Sequence, residues 1–252
     1  MTKKSEMKYG ISLSGGGARG LAHIGVLRAL EEKGIFPTHI AGTSMGAIVG
    51  AFYAAGWKSR EILDIMKNDG ITNHFNFSFP SGGGMLTLDR LEEKLKAHLK
   101  AEDFKHLKKP LFISVTNLTR GKAEIISSGP LIRTIIASAS IPVIFKPIEM
   151  QGDVYVDGGL MENMPLGPLP ELCDKLIGSH VNHISDQEGI DSIREVADRS
   201  YKLAIYQNVK IHFDRLDILI DPPDIRKFKL HDFGKIDEIY EMGYHEAMKV
   251  LA

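Results

Sequence analysis

The stretch "ISLSGGGARGLAHIGVL", residues 11–27, decides the fold. It reads as an apolar strand, a glycine-rich turn and an amphipathic helix, the unit from which layered α/β proteins are built. Glycines at positions 15, 17 and 20 give the spacing G-x-G-x-x-G. Backbone N–H groups in such a turn, at the start of a helix, form an anion site. The anion is either a nucleotide phosphate or the oxyanion of an acyl transfer.

The nucleotide hypotheses each lack a second requirement. A dinucleotide site needs an acidic residue about 20 residues on, at the end of the second strand. Here that strand ends in "IAGTS", residues 40–44, without a carboxylate. A P-loop ends in Gly-Lys-Ser/Thr, whereas this turn ends in Ala-Arg-Gly at residues 18–20. A module that binds NAD or ATP is therefore the least favoured alternative.

A candidate nucleophile lies in the sequence Gly-Thr-Ser-Met-Gly, residues 42–46, between an apolar strand and a helix. A serine on a sharp strand-to-helix turn has strained backbone geometry. The positions two residues before and after it then have no space for a side chain, which explains the glycines at 42 and 46. The helix that begins behind Ser44 places its positive end beside the developing negative charge. This pattern predicts that Ser44 is a catalytic nucleophile.

The serine needs a base, and Asp157 is the main candidate. It ends the strand in "GDVYVDGGLMENMP", residues 152–165, and Gly158 and Gly159 leave bare backbone beside it. The order Ser, Asp, His of many esterases offers an alternative, a triad that uses His180 or His183.

The bulk composition is ordinary for a globular protein. The chain has 252 residues, and its formal net charge of -1 argues against a dominant nucleic-acid surface. Its single cysteine excludes an internal disulfide. The start of the chain lacks the apolar stretch of a secretory signal, and no apolar run approaches the roughly 20 residues of a membrane span. We expect one domain over residues 1–252 and a cytoplasmic location, with a membrane surface still open as a partner. No cluster has metal-ligand spacing, so we expect neither a metal nor another cofactor.

Strand and helix patterns alternate along the chain. Predicted strands lie near 9–14, 38–43, 110–118, 123–128, 153–157, 174–181 and 215–222, and predicted helices near 19–33, 45–55, 59–67, 88–100, 130–139, 191–209 and 234–250. Ser59 is predicted to cap the third helix. The segment 68–85 carries phenylalanines at 75, 77 and 79 and three glycines, which fits either a strand edge or a mobile flap over a site for apolar substrates.

Four stretches together resemble the patatin-like phospholipase family and occur in that family's order over residues 8–168. They are "GGGARGLAHIGVL" (15–27), "HIAGTSMGAIVGAFYAAG" (39–56), "ASASIPVIFKPI" (137–148) and "YVDGGLMENMP" (155–165). The resemblance implies a three-layer α/β/α sandwich with a central, mostly parallel sheet. It also implies a Ser44–Asp157 dyad without a catalytic histidine.

The resemblance further implies an oxyanion hole formed by the backbone N–H groups of Gly15, Gly16 and Gly17, with Arg19 securing this turn. Asn163 is expected to shape the loop that supports Asp157. We therefore expect a serine hydrolase of lipid acyl esters that works through an acyl-enzyme. Besides the triad, a protein that binds a lipid or acyl carrier, or that transfers the acyl group, stays open as an alternative.

Overall fold

The computed structural model describes residues 7–68, 71, 86–186 and 189–252, apart from the side chain at position 194. Most of the segment 68–85, including its three phenylalanines, lies outside the described residues. The choice between a flap and a strand edge therefore stays a prediction.

The described residues form a mixed sheet of eight strands. These are β1 (Tyr9–Leu13), β2 (His39–Gly42), β3 (Leu111–Asn117), β4 (Lys122–Ile126), β5 (Ile148–Met150), β6 (Asp153–Asp157), β7 (Lys175–Ser179) and β8 (Ile218–Ile220). Their order is β5-β6-β3-β2-β1-β7-β8, and β4 also pairs with β3. Neighbouring strands are parallel along the run β3-β2-β1-β7-β8. Strands β4 and β6 each pair with β3 in the antiparallel direction, and β5 pairs with β6 in the same way.

Helices cover the two faces of this sheet. They are α1 (Ala22–Glu32), α2 (Met45–Ala55), α3 (Ser59–Asn68), α4 (Asp89–Leu99), α5 (Leu131–Ala139), α6 (Leu169–Leu172), α7 (Ile193–Lys210) and α8 (Ile236–Val250). Ile11 and Leu13 of β1 point into the large core that α1, α2 and α8 share, as expected when a strand alternates its side chains between faces. A smaller cluster on the other face packs Phe112 and Leu176 against Leu169 of α6. The predicted α/β/α sandwich is confirmed.

Three local predictions differ from the structure. The first helix begins with a 3₁₀ turn over Gly17–Leu21. Ser59 is not a cap: it is the first residue of α3, and its hydroxyl donates to a Glu31 carboxylate oxygen 2.6 Å away. Strand β5 was not predicted, because its three residues lie at the sheet edge and are too few to show an alternating pattern.

The strand register brings two distant segments to one level of the sheet. Gly42 of β2 is paired with Ile113 of β3, and Val115, two residues further along β3, is paired with Asp157. Ser44 lies two residues beyond Gly42. Ser44 and Asp157 therefore lie near each other where β2 and β6 end, although 113 positions separate them in the chain.

Helices α1 and α8 contact each other closely at glycines, and a substitution at this contact tests the packing. A Cβ atom added at Gly243 of α8 would collide with the carbonyl oxygen of Ala22. We predict that Gly243→Ala lowers the free energy of unfolding by about 1–3 kcal/mol, because the helices must move apart. Gly234→Ala is the matched control, since a Cβ there meets no atom within 4 Å. Equal denaturation midpoints for the two variants would contradict this packing.

Candidate active site

Ser44 occupies the turn between β2 and α2 with a φ of 53° and a ψ of −122°. A positive φ is rare for a residue with a side chain and marks a strained turn. The backbone N–H of Ser44 donates to the Ser138 hydroxyl oxygen at 2.9 Å, and that hydroxyl donates to the carbonyl oxygen of Ser114 at 2.7 Å. All three serines are buried. This hydrogen-bonded relay fixes the strained turn.

The glycines on either side of the serine are required by close packing. A Cβ atom at Gly46 would collide with the carbonyl oxygens of Leu13 and Ser14, at the end of β1. A Cβ atom at Gly42 would lie 2.6 Å from the carbonyl oxygen of Gly46. The start of α2 therefore lies directly against the backbone that leaves β1, which places Ser44 beside the glycine turn.

Asp157 is buried at the end of β6 and held on several sides. One carboxylate oxygen accepts the Gly159 N–H at 2.7 Å, and the Asp157 N–H donates to the carbonyl oxygen of Ser140 at 2.9 Å. Burial raises the pKa of Asp157 to about 6. Hydrogen bonds from the Ser44 hydroxyl and the Gly159 amide act in the opposite direction, but their effect on the pKa is smaller. A carboxylate whose pKa lies this close to neutrality is suited to accept the proton of a neighbouring serine hydroxyl.

The glycine turn differs from the expectation at its first residue. The Gly15 N–H donates to the carbonyl oxygen of Asn163 at 3.0 Å, so it is not a free donor, and its inclusion in the oxyanion hole needs correction. The cause is the close approach of the 163 loop: a Cβ at Gly15 would lie 2.5 Å from the Asn163 side-chain oxygen. Within the described part of the chain, the N–H groups of Gly16 and Gly17 have no hydrogen-bond partner.

Arg19 links the glycine turn to the segment 228–230. Its side-chain Nε donates to the carbonyl oxygen of Phe228 at 2.7 Å, and the Ala18 N–H donates to the carbonyl oxygen of Leu230 at 2.8 Å. Burial lowers the pKa of Arg19, whereas Asp198 and Asp232 raise it. The arginine thus stabilises the turn from behind through the C-terminal part of the chain.

Asn163 acts mainly through its backbone. Besides accepting the Gly15 N–H, it donates its own N–H to the side-chain oxygen of Asn208 in α7 at 3.0 Å. Its side-chain amide lies 3.5 Å from the carbonyl oxygen of Gly15. The loop after Asp157 is therefore joined to both the glycine turn and α7.

The two histidines proposed for a triad lie together beside one carboxylate, that of Asp221. The Nδ1 atoms of His180 and His183 lie 3.0 and 2.8 Å from the two carboxylate oxygens of Asp221, at the end of β8. Burial opposes the charge of Asp221, but hydrogen bonds from both histidines lower its pKa. Neither histidine belongs to the described residues that line the pocket around Ser44.

Ser44 and Asp157 open into a cavity of about 90 Å³ that is mainly apolar. Ile141, Ile184 and Leu230 line it, and α7 closes one side. The α7 residues in the lining are Asp198, Tyr201, Lys202 and Ile205. We did not predict this role for α7, although the spacing of these four residues places them on one face of a helix.

Two absences concern the part of the chain that the structure describes. No group of three or more His, Cys, Asp or Glu side chains there could hold a metal ion. No helix among residues 7–68, 86–186 and 189–252 combines the length and apolarity needed to span a membrane.

Comparison with known proteins identifies the family. A model of the patatin-like phospholipase family matches residues 11–170, so the chain belongs to this family. The chain is 27% identical over 288 residues to lysophospholipase NTE1 of Mycosarcoma maydis, a match that covers 97% of this chain and 15% of that protein. It is 34% identical over 167 residues to an uncharacterized NTE family protein of Mycobacterium bovis, covering 66% and 46%. The chain thus spans less than half the length of these relatives.

A solved structure supports the fold alone. VipD from Legionella pneumophila matches with a TM-score of 0.56 and 18% sequence identity, over 98% of this chain and 67% of the other. The resemblance that we noted in four sequence stretches is confirmed by the family match.

Ser138 offers a test of the relay behind Ser44. We predict that Ser138→Ala lowers esterase kcat about 10-fold to 100-fold, because the buried Ser44 N–H loses its acceptor and the strained turn relaxes. Ser140→Ala is the control: its hydroxyl only donates within α5's last turn, to Ile136, and the carbonyl that holds Asp157 is kept. Equal kcat values for the two variants, both folded, would contradict a positioning role for Ser138.

Proposed function

We propose that this chain hydrolyses lipid acyl esters with a Ser44–Asp157 dyad. The observation that carries the proposal is the buried carboxyl of Asp157, with its pKa raised to about 6, beside a serine on a strained turn. Gly16 and Gly17, whose N–H groups have no hydrogen-bond partner within the described part of the chain, line the same apolar cavity. A nucleophile, a base and anion donors thus converge where an acyl chain could lie.

The first half-reaction acylates the serine. The Ser44 hydroxyl attacks the ester carbonyl carbon while its proton passes to the Asp157 carboxylate. The carbonyl oxygen becomes an oxyanion, which the Gly16 and Gly17 N–H groups and the start of α2 stabilise, at about 3 kcal/mol for each well-placed donor. The proton on Asp157 then passes to the leaving alcohol or lysolipid oxygen as its bond to the acyl carbon breaks.

The second half-reaction releases the fatty acid. Asp157, again a carboxylate, accepts a proton from a water molecule that attacks the acyl carbon of the Ser44 ester. The same oxyanion donors stabilise the second tetrahedral intermediate, and the proton on Asp157 returns to the Ser44 oxygen as that bond breaks. The dyad needs neither a histidine nor a metal for these steps.

A lipid with one acyl chain is the substrate class that we favour. The apolar lining suits an acyl chain. Relatives named lysophospholipase support the same class. Contact with a membrane surface, a cytoplasmic location and a one-domain organisation over residues 1–252 accompany this proposal as predictions.

Ester hydrolysis by point variants tests the dyad. With p-nitrophenyl esters from acetyl to palmitoyl, we expect Ser44→Ala and Asp157→Asn each to lose at least about a thousandfold in kcat/KM. His183→Gln, which changes a partly exposed side chain outside the pocket, should retain activity. Loss of activity in a folded His183 or His180 variant would favour the triad. A single burst of product without turnover would favour acyl transfer.

The raised pKa of Asp157 predicts a pH profile. Only the carboxylate accepts a proton, so kcat/KM should rise about tenfold per pH unit below pH 6 and level off above it. An ordinary aspartate, with a pKa near 3.8, would place this rise near pH 4. A pH-rate profile with an uncharged ester checks this. A rise near pH 4, in an enzyme that stays folded, would contradict a buried base.

A further inference from the structure

The carbonyl oxygen of Gly15 has a close partner that the proposed reaction does not use. It accepts a hydrogen bond from the side-chain Nδ2 of Asn182 at 2.5 Å, from a position 167 residues further along the chain. A carbonyl oxygen can only accept, so the donor in this contact is the amide nitrogen of Asn182. The Asn163 amide also approaches this oxygen, but at 3.5 Å it is too distant for a strong hydrogen bond. Asn182 is therefore the closer of the two amides.

This contact acts on one peptide group of the glycine turn. The carbonyl of Gly15 and the N–H of Gly16 belong to the same planar, trans peptide, so they point in opposite directions. Holding the Gly15 carbonyl oxygen on Asn182 therefore also sets the direction of the Gly16 N–H. That N–H is one of the two donors to the oxyanion in the proposed reaction. Gly16, Asn182 and Ser44 all line the same cavity.

The second donor, the N–H of Gly17, is held within the turn itself. The carbonyl oxygen of Gly16 accepts the Arg19 N–H at 3.1 Å, which sets the peptide that carries the Gly17 N–H. This hydrogen bond over three positions belongs to the 3₁₀ turn Gly17–Leu21 and needs no other segment. The Gly16 N–H, by contrast, depends on a side chain from a distant part of the chain.

The segment that carries Asn182 is held by hydrogen bonds to two other segments. It continues β7, and the His180 N–H donates to the carbonyl oxygen of Ile220, at the end of β8, at 2.9 Å. The next N–H, that of Val181, donates to the Ser14 hydroxyl oxygen at 3.1 Å. His180 and Val181 are both fully buried. The backbone before Asn182 is thus fixed against β8 and against the residue that precedes the glycine turn.

We propose that Asn182 is a positioning residue, whose amide orients the Gly15–Gly16 peptide so that the Gly16 N–H meets the oxyanion. The inference rests on the proposed function, since the acyl-transfer reaction is what forms this oxyanion. A donor that is fixed in advance stabilises the developing charge without a cost of reorganisation, and a donor that can turn away loses this advantage. Both half-reactions pass through an oxyanion, so Asn182 serves both of them without forming or breaking a bond.

Hydrolysis of p-nitrophenyl esters by Asn182 variants gives the first readout. Asn182→Leu keeps the approximate size of the side chain without its donor, and it should lower kcat about 10-fold to 100-fold. KM should change less than about threefold, because the ester before attack carries no oxyanion. Asn182→Gln keeps an amide donor and should retain more activity than Asn182→Leu. Gln207→Leu is the matched control, since Gln207 is exposed on α7 and is not among the described residues that line the cavity.

The Gly16 amide itself gives a readout that needs no catalysis. In protein labelled with ¹⁵N-glycine, the heteronuclear NOE reports the motion of each glycine N–H on the picosecond-to-nanosecond timescale. Asn182→Leu should shift the Gly16 amide signal and lower its NOE, because the peptide loses the contact that holds it. Gly34, two residues after the end of α1, is the internal reference and should keep its wild-type signal and NOE.

The two readouts separate this inference from the proposed function. A wild type that hydrolyses no ester would contradict the proposed function, and the Gly16 amide alone would then decide the role of Asn182. Wild-type kcat in Asn182→Leu, or an equal loss in Gln207→Leu, would overturn the positioning role. So would a lower kcat with the Gly16 signal and NOE unchanged, since Asn182 would then act on the substrate directly.

Discussion

The close contact between the start of α2 and the end of β1 is the constraint on which the site depends. There is no space for a side chain at Gly46, because the carbonyl oxygens of Leu13 and Ser14 lie against it. Ser44, two residues earlier, turns with a positive φ, at a cost on the order of 1–3 kcal/mol. The relay through Ser138 to Ser114 offsets part of this cost. The same contact sets the serine beside the N–H groups of the glycine turn.

The chemistry follows from burying one carboxyl group in this tight arrangement. Raising the pKa of Asp157 from 3.8 to about 6 means that the native state binds its proton more tightly than the unfolded chain does. Native stability is therefore greatest below pH 4 for this group, and on the order of 3 kcal/mol is lost as the pH rises through 6. The folded state therefore loses the stability that protonated Asp157 contributes in the same pH range in which ionised Asp157 can act as a base.

Local patterns in the sequence predicted the strand-to-helix turns around Ser44, and the parallel part of the sheet follows from their repetition. Asp157 was readable because it ends a strand before two glycines. Contacts between distant segments were not readable: the Asn163 carbonyl that occupies the Gly15 N–H lies 148 positions away, and no spacing rule connects them. Likewise no local pattern marked Ser138 as the acceptor of the Ser44 N–H, and the relation of α7 to the cavity is seen only in three dimensions.

The central claim is that Asp157 activates Ser44, and labelling with a fluorophosphonate probe tests it most directly. The probe forms a covalent bond only with an activated serine, and mass spectrometry of peptides locates it. We predict one labelled residue, Ser44, with a labelling rate that follows the ionisation of a group of pKa about 6 and falls sharply in Asp157→Asn. Labelling of Ser44 at an unchanged rate in Asp157→Asn, or labelling of a different serine, would contradict the account.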